Sequence, residues 1–262
     1  MNQDPGKEAM GNRQKVSQHG FRPTSAFQCE KLERDCRKNW DLFYKRNKTN
    51  FFKDRNWTTR EFTDLLTLDN SKILLEVGCG VGNFIFPLME VCDAKYFYAC
   101  DFSSEAIKLL QENPQYCEER IKGFTCDITT GELLDTLDED SVDIVTLIFV
   151  LSAIHPEKFK NVLQNLYKVL KPGGVLLFRD YGINDMAQWR FRDSSKISDN
   201  FYARQDGTRS YFFSDKQVQE ICEGAGFRME QNTYVHRQTI NVKENVDVKR
   251  TFVQGIFRKD SS

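Results

Sequence analysis

Glu76, Asp101 and Asp127 stand at the ends of three successive apolar runs, and a glycine-rich turn lies beside the first of them. That turn, EVGCGVGN at residues 76 to 83, carries Gly78, Gly80 and Gly82. Glycine at these places lets the backbone turn tightly and lets a ligand approach its amides. A dinucleotide site would call for G-x-G-x-x-G, but here the third glycine falls one residue early and Asn83 fills the packing slot. Glu76 at the mouth of the loop would repel a pyrophosphate and attract the ammonium of an amino acid. Asp101, nineteen residues past Gly82, can accept both hydroxyls of a ribose, and Asp127 can accept from an adenine amine. Ammonium, ribose and adenine together describe S-adenosylmethionine better than NAD. Plainer readings stand beside this one. The loop can be a tight turn with no ligand, and DFSSEA and DITTGEL can be helix or turn starts whose aspartates only cap. Ile148 and Phe149 can offer adenine an apolar face or pack in the core.

These residues need strands that end side by side, and the chain alternates accordingly. KILLEVGC, KYFYACD, IKGFTCD, VDIVTLIFV and GVLLFRDY read as strands, with helices GNFIFPLMEV, SSEAIKLLQEN and FKNVLQNLYKVL between them. Pro172 and the Gly173-Gly174 pair stop the last of these helices. A long insertion, 183–213, precedes a helix capped at Ser214, and two further runs read as a hairpin closing the sheet. The pattern predicts an α/β fold with a doubly wound, mostly parallel seven-stranded sheet, an N-terminal extension, and an insertion after strand 5. Residues 1–28 are predicted to be a disordered tail, 29–68 a helical extension, and 69–262 the main domain. Within the extension one helix is expected from Cys29 to Arg46, and a second short one capped by Thr58 or Thr59.

A chain of 262 residues, 40% hydrophobic, can bury a sizeable core. No apolar run is long enough for a membrane span and the start lacks the apolar stretch of a signal peptide, so a cytosolic or nuclear location is expected. Eight cysteines without a C-x-x-C pair, and three scattered histidines, lack the spacing of a zinc site; no metal is expected. Net charge is −1, so affinity for a polyanion must come from a local patch. Two segments offer one. KNWDLFYKRNKTNFFKDRNW, residues 38 to 57, has six aromatics and six Lys/Arg against two acids. Residues 189 to 213 have seven aromatics and five Lys/Arg against three Asp. Each can equally be packed rings with a solvated charged face.

The stretches KNWDLFYKRNKTNFFKDRNWTTREF, EVGCGVGN, YACDFS, LIFVLSAIHP, LYKVLKPGG, FRDYG and NFYARQDGTRSYFF make the chain resemble, from about residue 38 to 258, the class I methyltransferases and among them the eukaryotic tRNA N3-methylcytidine methyltransferases. The resemblance points to the branch acting on serine tRNAs. It implies methyl transfer from S-adenosylmethionine to N3 of a cytidine at position 32 of the anticodon loop, with an extension that helps cover the cofactor. By resemblance, Trp40, Tyr44, Gly78, Asp101, Asp127 and Ile148 serve the cofactor. The same resemblance implies seryl-tRNA synthetase as a partner.

A flipped or single-stranded base needs aromatic faces and cations to hold it. Phe51, Phe52, Arg55 and Trp57 are the candidates in the first patch, and Trp189, Arg190, Arg192, Arg204 and Arg209 in the second. Neutral cytosine already has a lone pair on N3, so no base must remove a proton; positioning and the charge developing on the ring make up the barrier. Asp180, at the end of the fifth strand, is the candidate to accept from the exocyclic amine and offset that charge, with Tyr181 beside it; pairing with Arg179 or capping a turn is the alternative. The fourth strand carries no N-P-P-Y or D-P-P-Y run, which argues against N6-adenine or N4-cytosine chemistry. Two other readings stay open: a small-molecule or protein methyltransferase of the same fold, and a non-catalytic RNA-binding scaffold.

Overall fold

The computed structural model describes residues 24–241 and 246–261; residues 1–23 of the expected tail lie outside them. Helix begins earlier than expected: Ser25 accepts from the Gln28 amide and starts α1 (Ala26–Arg34). The single helix expected from Cys29 to Arg46 is two, because Asp35 leaves helical geometry at φ −91°, ψ 6° and separates α1 from α2 (Cys36–Asn47). Asp competes with the backbone for hydrogen bonds and tolerates such a break. In α3 (Thr58–Glu61) Thr58 is the first helical residue, not the cap; it is buried and its hydroxyl donates back to the Arg55 carbonyl.

The alternating part follows the expected order, with β1 (Ile73–Val77), a short α4 (Ile85–Met89), β2 (Tyr96–Asp101), α5 (Ser104–Gln111) and β3 (Ile121–Thr125). Then come β4 (Val142–Ile148), α6 (Phe159–Val169) and β5 (Leu170–Tyr181). The insertion folds into α7 (Met186–Trp189) and a three-stranded antiparallel sheet of β6 (Lys196–Ser198), β7 (Phe201–Ala203) and β8 (Arg209–Tyr211). After it, α8 (Asp215–Glu223) precedes the hairpin of β9 (Arg228–Asn241) and β10 (Val246–Arg258).

The main sheet runs β3-β2-β1-β4-β5-β10-β9, parallel from β3 to β5, with β10 antiparallel to β5 and to β9. Both faces are covered, as a parallel sheet requires. One layer packs α6 and α8 against Val145, Leu147, Leu176 and Phe178; the other packs Phe62, Phe84, Ile85 and Leu110 against Leu74, Phe97 and Leu177. The carboxyl ends of β1 to β5 open together on one edge, where ligands of such sheets bind.

Helices α1 and α2 strap across that edge. On one side the Ser103 hydroxyl donates to Asp41 of α2 at 2.6 Å; on the other, Asn39 Nδ2 donates to the Gly207 carbonyl at 3.0 Å, and Glu33 pairs with Lys158 at 2.5 Å and with Arg209. The apolar stripe Trp40, Phe43 and Tyr44 faces inward.

Candidate active site

A cavity of about 370 Å³ lies between the strand ends and the strap. Its floor is the glycine loop. Gly78, Gly80 and Gly82 all have positive φ, at 64°, 55° and 94°. At Gly80 the conformation also makes room, since a Cβ there would sit 2.8 Å from the Tyr44 hydroxyl that closes over the loop. Asp101 braces the loop from the next strand: its Oδ2 accepts from the Gly80 amide and its Oδ1 from the Ser103 amide, both at 2.9 Å. Burial raises the Asp101 carboxyl to about 6 despite those two donors.

Glu76 lies beneath the same loop, buried, with Oε2 lacking any hydrogen-bond partner. Burial pushes its carboxyl up to about 8, Arg55 pulling it down and the charge of Asp101 pushing it further up. An unmatched buried carboxylate oxygen costs free energy unless a ligand completes it. An ammonium would do so. Asp127 is half-buried at the end of β3 and turns Oδ1 to the Thr129 amide and hydroxyl, at 2.9 and 2.7 Å. Glu76, Asp101 and Asp127 therefore share one cavity, with Trp40 and Tyr44 of α2 forming its roof. The donor set fits the ammonium, ribose and adenine of S-adenosylmethionine.

At the other end the cavity is aromatic and cationic. Phe149 packs against Tyr181 at 5.1 Å and Phe252 at 5.3 Å. The guanidinium of Arg204 and that of Arg250 each lie 5.7 Å from the Tyr181 ring, and Arg55 lies 5.5 Å from Phe149. Phe52 and Trp57 complete the wall, and Trp57 is backed at 4.2 Å by Arg179, itself paired with Glu61.

Several expected site residues sit elsewhere. Gly82 does not line the cavity; a Cβ there would meet Phe86 at 2.3 Å, so this glycine packs loop on helix. The Ile148 side chain is in the core, leaving only its carbonyl to accept from Arg55 Nη1 at 3.2 Å, and the neighbouring Phe149, at φ 60°, takes the cavity position. Asp180 is fully buried behind the wall: Oδ2 accepts from the Ser152 amide and Oδ1 from the Tyr181 amide, both at 2.9 Å. It does not reach the cavity, so it can position Tyr181 and Ser152 but does not meet an exocyclic amine directly. Its carboxyl, too, is raised by burial, to about 6. Phe51 is exposed, packing edge-on to Phe43 and Phe52 at 4.8 Å. Arg209 lines the cavity but is buried against Glu33, which removes it as a ready phosphate contact. Arg190 and Arg192 are exposed outside the cavity.

Arg250 and Phe252 were not foreseen. They lie two apart on β10 and so point to one face, but only the pairing of Phe252 with Tyr181 brings that face to the cavity, and a β-register is not readable from one strand's sequence.

Comparison with known proteins extends this geometry. Residues 75–176 match the family described as a methyltransferase domain. The fold resembles that of a 1,6-didemethyltoxoflavin-N1-methyltransferase from Burkholderia thailandensis solved with S-adenosylhomocysteine, at a TM-score of 0.60 and 15% identity over 90% of this chain and 91% of that one. Among relatives in sequence, the tRNA N(3)-cytidine methyltransferase METTL6 of Mus musculus is 56% identical over 239 residues, 90% of this chain and 85% of that protein. The tRNA N(3)-methylcytidine methyltransferase trm141 of Schizosaccharomyces pombe is 44% identical over 92% of this chain and 99% of its own length. With relatives of 44–56% identity covering 90–92% of its length, the chain belongs to the tRNA N3-methylcytidine methyltransferases.

Proposed function

We propose that this chain methylates N3 of a cytidine in tRNA, with S-adenosylmethionine as methyl donor. The observation that carries this reading is the continuity of one cavity from the carboxylates Glu76, Asp101 and Asp127 to the wall of Phe149, Tyr181 and Phe252 flanked by Arg55, Arg204 and Arg250. Bound, S-adenosylmethionine supplies an electrophilic methyl group on a sulfonium. The chain's own residues hold and orient. Glu76 takes the ammonium on its unmatched oxygen, Asp101 takes ribose hydroxyls on the lone pairs its two backbone donors leave, and Asp127 accepts from adenine. Trp40 and Tyr44 exclude water from above.

The aromatic wall stacks an unpaired pyrimidine. No side chain is needed to remove a proton, because N3 of neutral cytosine presents its lone pair, and orientation of the ring becomes the principal task. Asp180 serves as a positioning residue here, fixing the Tyr181 and Ser152 backbones through its two accepted hydrogen bonds. Arg204 has Nη2 held by Ser210 at 3.2 Å and keeps further N–H groups for a pyrimidine O2 or a phosphate.

The likeness to the serine-tRNA branch supports serine tRNAs as substrate, anticodon-loop cytidine as target, and seryl-tRNA synthetase as a helper that adds affinity to a chain with net charge −1. A cytosolic or nuclear location is part of the same reading. The test is transfer of labelled methyl from S-adenosylmethionine to purified serine tRNA, to other tRNAs, and to protein and small-molecule acceptors, with and without the synthetase. Label in serine tRNA, increased by synthetase, supports the tRNA, serine and synthetase parts of the reading. Label only in protein or small molecules refutes it, and equal label in all tRNAs removes the serine and synthetase components.

A further inference from the structure

We propose that Trp189, flanked by Arg190 and Arg192 on the rim of the site, is a stacking platform for an unpaired loop nucleobase other than the cytosine being methylated. The proposal rests on the RNA reading above and adds a second point of recognition to it.

Trp189 is 70% exposed. It differs from the other aromatics of the insertion: Phe191 stacks on Tyr202 at 4.8 Å and 18°, Phe201 and Tyr211 pack together at 6.0 Å, and Phe212 and Phe213 lie within 5.8 Å of Tyr181 and Phe178. Among the described residues Trp189 has no ring neighbour, and neither Arg190 nor Arg192 engages its guanidinium in an ion pair or hydrogen bond. An indole left in water, with two unengaged exposed arginines one and three positions along the chain, matches a nucleotide, with a π-face for the base and positive charge for its phosphates. An apolar protein partner would leave both charges unmatched, and a membrane surface would not select a single ring.

The platform is also held rigidly in relation to the cavity. Asp185 is fully buried and caps α7 through the Ala187 amide at 2.7 Å. Its two oxygens accept from Arg250 Nε at 3.1 and 3.0 Å, and Oδ2 accepts from the Thr251 amide at 2.7 Å. Gln188 is fixed by the Asn184 amide at 2.8 Å and Asn200 at 3.0 Å. Arg250, the residue that grips α7, is the same residue that lies 5.7 Å from the Tyr181 ring in the cavity wall. A base on Trp189 and a base on Tyr181 are therefore registered to one another through a single side chain. Such preorganisation lowers the ordering cost of binding a flexible loop.

The experiment uses the full chain and a synthetic anticodon stem-loop RNA in which each loop nucleotide except the target cytidine is replaced in turn by an abasic unit. RNA affinity by fluorescence anisotropy, kcat and KM for methyl transfer, and S-adenosylhomocysteine affinity are measured for the wild type, Trp189→Ala and Trp189→Phe. Trp189→Ala is expected to weaken the intact RNA about 5- to 150-fold, the range of one lost stack, with cofactor affinity unchanged and Trp189→Phe recovering most of the loss. One abasic position should weaken the wild type by the same factor while leaving Trp189→Ala indifferent. Wild-type affinity of Trp189→Ala for every RNA, or an equal penalty for that variant at every abasic position, overturns the platform. Because affinity and methyl transfer are read separately, loss of coupling with transfer intact overturns the platform alone. Absence of both RNA affinity and transfer in the wild type overturns the function and the platform together.

Discussion

A carboxyl oxygen without a partner is costly to bury, and Glu76 keeps one under the loop that would receive the cofactor. Without ligand its carboxyl is raised to about 8 by burial, so below that pH it carries a proton that a bound ammonium would expel. Affinity for S-adenosylhomocysteine should therefore rise with pH between 6 and 8, by up to about tenfold per unit, and level off above that range. Calorimetry in buffers of different ionisation enthalpy reads the released proton, and a flat profile contradicts the role. The sign for stability is opposite. A carboxyl raised in the fold from its ordinary 4.5 favours the folded state at low pH and withdraws that stability as pH climbs towards 8. Ligand-free Glu76→Gln should thus melt higher than wild type at pH 8.5 and not at pH 5, while binding cofactor about tenfold or more weakly. Asp180→Asn leaves a backbone amide facing an NH2 group, at about 1 to 3 kcal/mol; methyl transfer should slow about tenfold or more with cofactor affinity retained, and an unchanged single-turnover rate contradicts its hold on Tyr181.

Among the elements, α1 and α2 decide how the cavity closes. Glu33 is held ionised by hydrogen bonds from Lys158 and Arg209, which outweigh the effect of its burial, and this ties the strap to the insertion. Glu33→Ala leaves Arg209 buried without its partner, and stopped-flow release of S-adenosylhomocysteine should be several-fold faster; an unchanged release rate contradicts the strap as a closure. The glycine loop makes a sharper contrast. Gly82→Ala drives a Cβ to within 2.3 Å of Phe86 at a φ of 94°, and should destabilise by about 2 kcal/mol or more. Gly131→Ala meets nothing within 4 Å and should be neutral or slightly stabilising in the same denaturation experiment. The strand ILLEV was legible as a compact apolar run, and the helix FKNVLQNLYKV by a long, clean helical period. The break at Asp35 and the strands β6 to β8 were not, since one residue or three residues carry no period.

Taken whole, the molecule has net charge −1, and Arg55, Arg204 and Arg250 reach the substrate end of the cavity from three separate segments. The cofactor half of the site was readable because Glu76, Gly80, Asp101 and Asp127 each sit at a strand end, and strand ends converge in any doubly wound sheet. The substrate half was less so: Arg250 and Phe252 arrive from the last strand through long-range pairing, Arg209 is consumed by Glu33, and Asp180 is buried behind the wall it was expected to face. RNA affinity should fall with salt, and Arg204→Ala should reduce the slope of log affinity against log salt by about 0.7 if that arginine meets a single-strand phosphate; an unaltered slope contradicts that contact. The most direct measurement is the identity of the product. After incubation with S-adenosylmethionine and tRNA, the RNA is digested to nucleosides and the methylated one is identified by mass spectrometry against standards. A cavity that stacks neutral cytosine without removing a proton predicts 3-methylcytidine, lost with Tyr181→Ala; 5-methylcytidine, N4-methylcytidine or a methylated adenosine as the product would contradict it.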